Sequence, residues 1–226
     1  MSSEGCALNK PKIYLEPKER AEKIIQLLEK AHPDAKIALN YSNPLELLIA
    51  TILSAQSTDV MINQITQKLF KKYTKAQDYA SADLSELEQD IKSSGFYHNK
   101  AKSIQNASKI LVEKYNGKVP NTMEELLELP GVARKTANIV LYGGFGVVAG
   151  IAVDTHVRRL SQRLGLTEKE DPEKIEQDLM RLVPKDQWMH FADLLIFHGR
   201  RVCFAKKPNC KGCLLNEICP CAFAFE

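Results

Sequence analysis

The sequence contains almost nothing that reads as a β-strand: alternation of apolar and polar residues is limited to a weak hint in "VVAGIAV", Val147 to Val153. That lack excludes sheet-based architectures and predicts an all-α chain. No internal repeat, low-complexity segment or linker of flexible composition is present, so any second domain is expected to pack tightly on the first. The opening residues, "MSSEGCALNKPKIYLEPKER", hold no apolar core of signal-peptide length, which argues against secretion and predicts a soluble intracellular protein. The longest apolar run, "ANIVLYGGFGVVAGIAV" from Ala137 to Val153, approaches membrane-span length but is interrupted by Asn138, Gly143, Gly144, Gly146 and Gly150. It predicts a buried helix, a glycine turn and a second buried segment rather than a span.

What is present is helical. The 226 residues are 44% hydrophobic, enough for one large core or two modest ones. Pro17 opens "PKERAEKIIQLLEKA", in which Ala21, Ile24, Ile25, Leu28 and Ala31 share one face. Asn43 then Pro44 opens "PLELLIATILSAQ", Asn121 or Thr122 caps "MEELLEL", and Asp171 then Pro172 opens "PEKIEQDLMRLV". These starts predict about ten helices joined by short turns.

Net charge is only +3, but the basic residues are clumped. Tyr97 to Lys118 carries Lys100, Lys102, Lys109, Lys114 and Lys118 against the single acid Glu113. Between His198 and Lys211 come Arg200, Arg201, Lys206, Lys207 and Lys211 with no acid. Each clump alone fits a solvated helix face; together they suit phosphate, whose attraction is a local field.

Cys203, Cys210, Cys213 and Cys219 are spaced C-x6-C-x2-C-x5-C within "CFAKKPNCKGCLLNEIC". An intracellular chain disfavours disulfides, which points to metal ligation. Zinc tetrathiolate sites usually show two C-x2-C pairs; one pair and two wider gaps leave zinc, iron–sulfur and free thiols open. Cys6 and Cys221 lie outside the pattern and are read as bystanders. With the cysteines ligated, the loop from Phe204 to Asn209 is pinned at both ends, and Lys206 and Lys207 project from it toward phosphate.

"ELPGVARKTANIVL" reads as helix, tight turn, helix, with Gly131 making the reversal. Ala133, Ala137, Val140 and Leu141 share the apolar face of the second helix. Lys135 lies opposite with Asn138 beside it, and points away from the core. Free N–H groups at the start of that helix form an anion site suited to phosphate.

"LPGVARKTA", followed by "VDTH" and then by the four spaced cysteines, resembles the endonuclease III family of base-excision DNA glycosylases. "LLIATILSAQSTDVMIN" resembles that family's "LLSAQ-x-TD" segment. The resemblance covers about Ala21 to Cys219 and implies an all-α, two-domain helix-hairpin-helix DNA glycosylase fold with a DNA-binding cleft between the domains and a C-terminal iron–sulfur cluster loop. The first domain implied is a six-helix domain over 37–148, with its motif at about 122–142. The second is discontinuous, 1–36 plus 149–226, with a [4Fe-4S] cluster on Cys203, Cys210, Cys213 and Cys219.

The same resemblance implies an enzyme that releases oxidised pyrimidines from duplex DNA and cleaves 3′ to the abasic site by β-elimination. No exposed heptad or repeat suggests self-association, so a monomer is expected, and no membrane partner is. By similarity Lys135 is the nucleophile and Asp154 the essential carboxylate, which can also cap "THVRRLSQRLG". Gln56 matches the glutamine that fills the gap left by the extruded nucleotide, and Asp59 a helix-starting aspartate of structural value.

The chain departs from the family at two places. Ala133 stands where a hairpin glycine is common, and is expected to be already helical, with its N–H still facing phosphate. Phe96, in "SGFYHNKAK", stands where a leucine wedge is frequent; an aromatic can still enter a base stack. His156 and His198 lie near the motifs and are expected to be neutral. Two alternatives are a mismatch glycosylase of the same superfamily, whose members generally lack the lysine, and a non-catalytic helix-hairpin-helix module with structural zinc.

Overall fold

The structure, a computed structural model, describes residues 12–225; Cys6 lies outside the described residues. Its helices are α1 (Pro17–Ala31), α2 (Pro44–Ser54), α3 (Asp59–Lys72), α4 (Ala76–Ala80), α5 (Leu84–Asp90) and α6 (Tyr97–Tyr115). They continue with α7 (Met123–Leu127), α8 (Arg134–Phe145), α9 (Thr155–Arg163), α10 (Pro172–Leu182) and α11 (Trp188–Arg201). Among the described residues there is no strand, and no helix is long and apolar enough to cross a membrane. The chain divides into two units, one running from Ile37 to Ala149 and one formed by the residues through Lys36 together with Gly150 onward.

All four helix starts read from the sequence are present, because each rests on local chemistry. Pro17 and Pro44 occupy first-turn positions whose missing N–H has no helical acceptor to lose. Asn43 accepts the Glu46 N–H at 3.0 Å, and Asp171 accepts that of Lys174 at 3.0 Å. Between the two candidate caps of α7 the structure uses Thr122, whose hydroxyl accepts from Glu125 N and donates to the Glu125 carboxylate at 2.7 Å. Thr58 caps α3, and Asp59 is its first residue, the helix-starting position expected of it.

The unit from Ile37 to Ala149 is built on α2, whose side chains from Leu47 to Leu53 are buried together with Leu111 of α6 and Ala137, Val140 and Leu141 of α8. Here the glycine-rich run departs from expectation. Gly143 and Gly144 are helical, and the turn comes at Gly146, the left-handed C-cap of α8. A Cβ on Gly143 would lie 2.6 Å from Leu47 Cδ2 and 2.8 Å from Ile37 Cδ1, so this glycine is where α8 comes close to α2. Asn138 is buried instead of standing outward beside Lys135. Val147 to Val153 runs without regular structure.

The other unit has its own core. Ile24 and Leu28 of α1, Val157 and Leu160 of α9, Ile175 and Leu179 of α10 and Phe191, Leu194 and Leu195 of α11 fill it. Leu215 and Ile218 close it from the C-terminal segment.

Candidate active site

The hairpin runs from α7 through Leu129 and Val132, both buried, into α8. The Val132 N–H bonds the Leu129 carbonyl at 3.1 Å, which closes the turn. Gly131 has φ of 81°, and a Cβ there would also lie 2.8 Å from Ser103 Cβ, so the reversal needs glycine on both counts. Ala133 is not helical, as the sequence suggested, but the extended N-cap of α8, with φ of −94°. Alanine is unstrained there because φ is negative. It also brings no side-chain acceptor, so no side chain caps the first turn of α8, and uncapped first-turn N–H groups are what an anion site is built from. Lys135 is the second residue of α8, exposed, and its amine bonds no described residue.

Gln56 and Phe96 stand on two turns of the same unit. Gln56 follows α2 with φ of 55°, and Phe96 precedes α6 with φ of 50°, both in left-handed backbone. Gln56 is exposed and Phe96 is 66% exposed, so the aromatic ring is no part of a local core. An apolar ring left in water on a strained turn is available to stack on bases.

Asp154 caps α9. Its Oδ1 accepts the N–H groups of His156 at 2.7 Å and Val157 at 2.8 Å, leaving Oδ2 without a partner among the described residues. Burial lowers the His156 pKa and keeps the ring neutral; Arg159 lies 3.2 Å from its Nδ1. Asp193 of α11 belongs to this neighbourhood and was missed in the sequence, where its signal was a lone acid inside the apolar "FADLLIF". Burial pushes its carboxyl up to about 7; Arg200 opposes the shift and Asp154 adds to it.

A carboxyl raised in this way keeps its proton in the fold after the unfolded chain has lost its own, so stability falls as pH rises from about 4 through about 7. Asp193→Asn is expected to melt like the parent near pH 4 and roughly 4–8 °C higher at pH 8, which corresponds to about 2 kcal/mol. Thermal melts of both proteins across that range check it; a Tm difference between Asp193→Asn and the parent that is flat with pH contradicts the assignment.

Cys203, Cys210, Cys213 and Cys219 are half-buried and line one cavity of about 440 Å³, counted with its open mouth, together with Leu160, Arg163 and His198. N–H groups point at the sulfurs: Arg163 Nη1 lies 3.3 Å from Cys203 Sγ and Leu215 N lies 3.4 Å from Cys213 Sγ. His198, buried, sits between Cys213 Sγ at 3.3 Å and the His32 ring at 3.1 Å, and burial lowers its pKa to about 4. Burial pushes the Cys213 and Cys219 thiols up to about 11 and about 12. Among the described residues no three of His, Cys, Asp and Glu gather closely enough to hold a single metal ion.

The loop between Cys203 and Cys210 is held from α9, which sequence reasoning also missed. Arg159 donates to the Cys203 carbonyl at 2.9 Å, and Arg163 to the carbonyls of Phe204 at 2.7 Å and Ala205 at 2.9 Å. Lys206 and Lys207 are exposed on this loop, and Lys207 has φ of 51°. Cys221 is buried and lines the same cavity.

Residues 49–185 match the model of the HhH-GPD superfamily base excision DNA repair proteins. The chain is 53% identical over 207 residues to the endonuclease III of Synechocystis sp., covering 92% of this chain and 94% of that one. It is 50% identical over 188 residues to the endonuclease III of Bacillus subtilis, covering 83% and 85%. Among solved structures, a trapped endonuclease III–DNA covalent intermediate superposes with a TM-score of 0.86 at 45% identity, over 91% of this chain and 96% of that one. On the hairpin, the helical fold and these matches, the chain belongs to the endonuclease III family of the HhH-GPD superfamily.

Proposed function

We propose that this chain is a bifunctional DNA N-glycosylase and abasic-site lyase of base excision repair, acting on oxidised pyrimidines in duplex DNA. The observation that carries the reading is an exposed Lys135 just beyond the hairpin turn, in a chain 45% identical to an endonuclease III trapped covalently on DNA. A base inside a duplex is out of reach, so the nucleotide is turned out of the stack. Lys135 Nζ attacks C1′, and the glycosidic bond breaks with its electron pair leaving on the base. The C1′–O4′ bond then breaks, O4′ keeping the electron pair and taking a proton, and the resulting Schiff base acidifies C2′, whose proton is lost as the 3′ phosphate departs. Asp154 accepts a proton at the attack and stabilises positive charge on the opening sugar.

The remaining site residues bind and orient. Hairpin N–H groups beyond Gly131, including that of Ala133, take a backbone phosphate, and Lys206 and Lys207 take others. Gln56 and Phe96 enter the space left in the duplex. Lys135 supports this reading over a mismatch glycosylase lacking a nucleophilic amine. We assign the enzyme to the cell interior, as a monomer. Incubation with abasic-site duplex and borohydride tests the reading: a reduced Schiff base gives a covalent protein–DNA adduct, and its absence overturns the lyase assignment.

Cys203, Cys210, Cys213 and Cys219 would hold a [4Fe-4S] cluster. All four cysteines line one cavity without three of them gathering closely enough for a single zinc with bonds of about 2.3 Å, and N–H groups directed at sulfur are what a thiolate-bound cluster uses. When bound, the cluster supplies a cross-link that fixes the Lys206–Lys207 loop. Purified protein is expected to contain about four iron and four acid-labile sulfides per chain. Cys213→Ser is expected to lower both and to expose the loop to protease; stoichiometric zinc without sulfide contradicts the assignment.

A further inference from the structure

Lys100 is 6% exposed, and among the described residues its amine has no carboxylate partner. Its three donors go to three neutral oxygens: the Leu53 carbonyl at 2.7 Å, the Ser94 carbonyl at 2.7 Å and Ser57 Oγ at 3.2 Å. Ser57 Oγ in turn donates to the Ser94 carbonyl. Burying an ammonium is costly, so the position of its acceptors is informative. Leu53 and Ser57 bracket the turn that carries Gln56, and Ser94 precedes Gly95 and Phe96. The Lys100 N–H also bonds the Phe96 carbonyl at 3.2 Å.

We propose that Lys100 is a positioning residue for duplex insertion, joining the Gln56 turn and the Phe96 turn into one rigid probe. The proposal rests on the reading that Gln56 and Phe96 enter the duplex. Non-glycine residues hold left-handed backbone only where their surroundings over-determine it. Both turn residues are in that state, and one ammonium is bonded to the residues flanking both. Turns held in their inserting shape before DNA arrives lose less freedom on binding.

The test uses four full-length proteins: parent, Lys100→Met, the double variant Gln56→Ala/Phe96→Ala, and the triple. Each is titrated, below its melting temperature, with duplex carrying a tetrahydrofuran abasic analogue opposite 2-aminopurine, and fluorescence reports unstacking. Lys100→Met is expected to weaken binding about tenfold and to reduce the fluorescence rise, and to add nothing in the double background. An equal loss in the parent and double backgrounds, or parent-like binding by Lys100→Met, overturns the proposal. If the double variant itself binds like the parent, it is the insertion reading that has failed, and this proposal falls with it. If Lys100→Met does not fold, Ser57→Ala keeps the two carbonyl contacts of the ammonium and is expected to show a loss of roughly threefold with the same cancellation, judged by the same criteria.

Discussion

Lys135→Gln is expected to give no borohydride-trapped adduct and to lower single-turnover cleavage at an abasic site by at least about 10³-fold at saturating protein. An amide nitrogen cannot form a Schiff base, so the covalent route is removed. The substitution is otherwise mild: Lys135 is exposed, bonds no described residue, and is followed by the packed face of α8 beginning at Ala137. A Tm within about 1 °C of the parent separates lost chemistry from lost fold. The competing role, a cation touching phosphate, makes a different prediction. Removing one phosphate contact weakens binding to all duplexes alike and reduces the salt slope by about one, while saturation restores the rate.

Much of the fold was legible because helix boundaries are written in neighbouring residues. Asn43, Thr122, Asp154 and Asp171 each accept an N–H two or three positions ahead. What was misread depended on partners distant in sequence. Gly143 looked like a turn residue because four glycines interrupt an apolar run; its purpose is visible only when Leu47 is placed against it. Asn138 looked outward because it is polar and stands near Lys135, yet it is buried. Ala133 was expected inside the helix, and it sits one residue before it.

The candidate site divides in the same way. Exposure of Lys135, Gln56, Phe96, Lys206 and Lys207 could be expected from polarity or loop position. The residues that hold them could not. Lys100 was read as one of a basic clump on α6, yet its acceptors include Leu53, and Arg163 finds its carbonyls beyond Cys203. A charged side chain looks solvated in a sequence until the oxygens that would replace water are located.

Asp154→Asn is expected to lower base release on the order of 10²–10⁴-fold while the protein stays folded. The two effects separate because the native residue caps α9 and, in the proposed function, also takes part in the chemistry. As the α9 cap, its Oδ1 accepts from His156 and Val157, and an asparagine oxygen can accept the same pair. What the amide loses is the negative charge, which at a helix N-terminus is about 0.3–1 kcal/mol, or roughly 1–4 °C in Tm. Asp154→Ala removes cap and charge together, with about 1 kcal/mol of further destabilisation. A capping role alone predicts that Asn behaves like the parent and Ala does not; a catalytic role predicts that both lose base release. Since Asp154 adds to the upward shift at Asp193, Asp154→Asn should also lower the Asp193 titration, which shows by NMR that the charge was removed locally. Base release undiminished in Asp154→Asn, with that titration moved, leaves Asp154 as a cap and removes it from the chemistry.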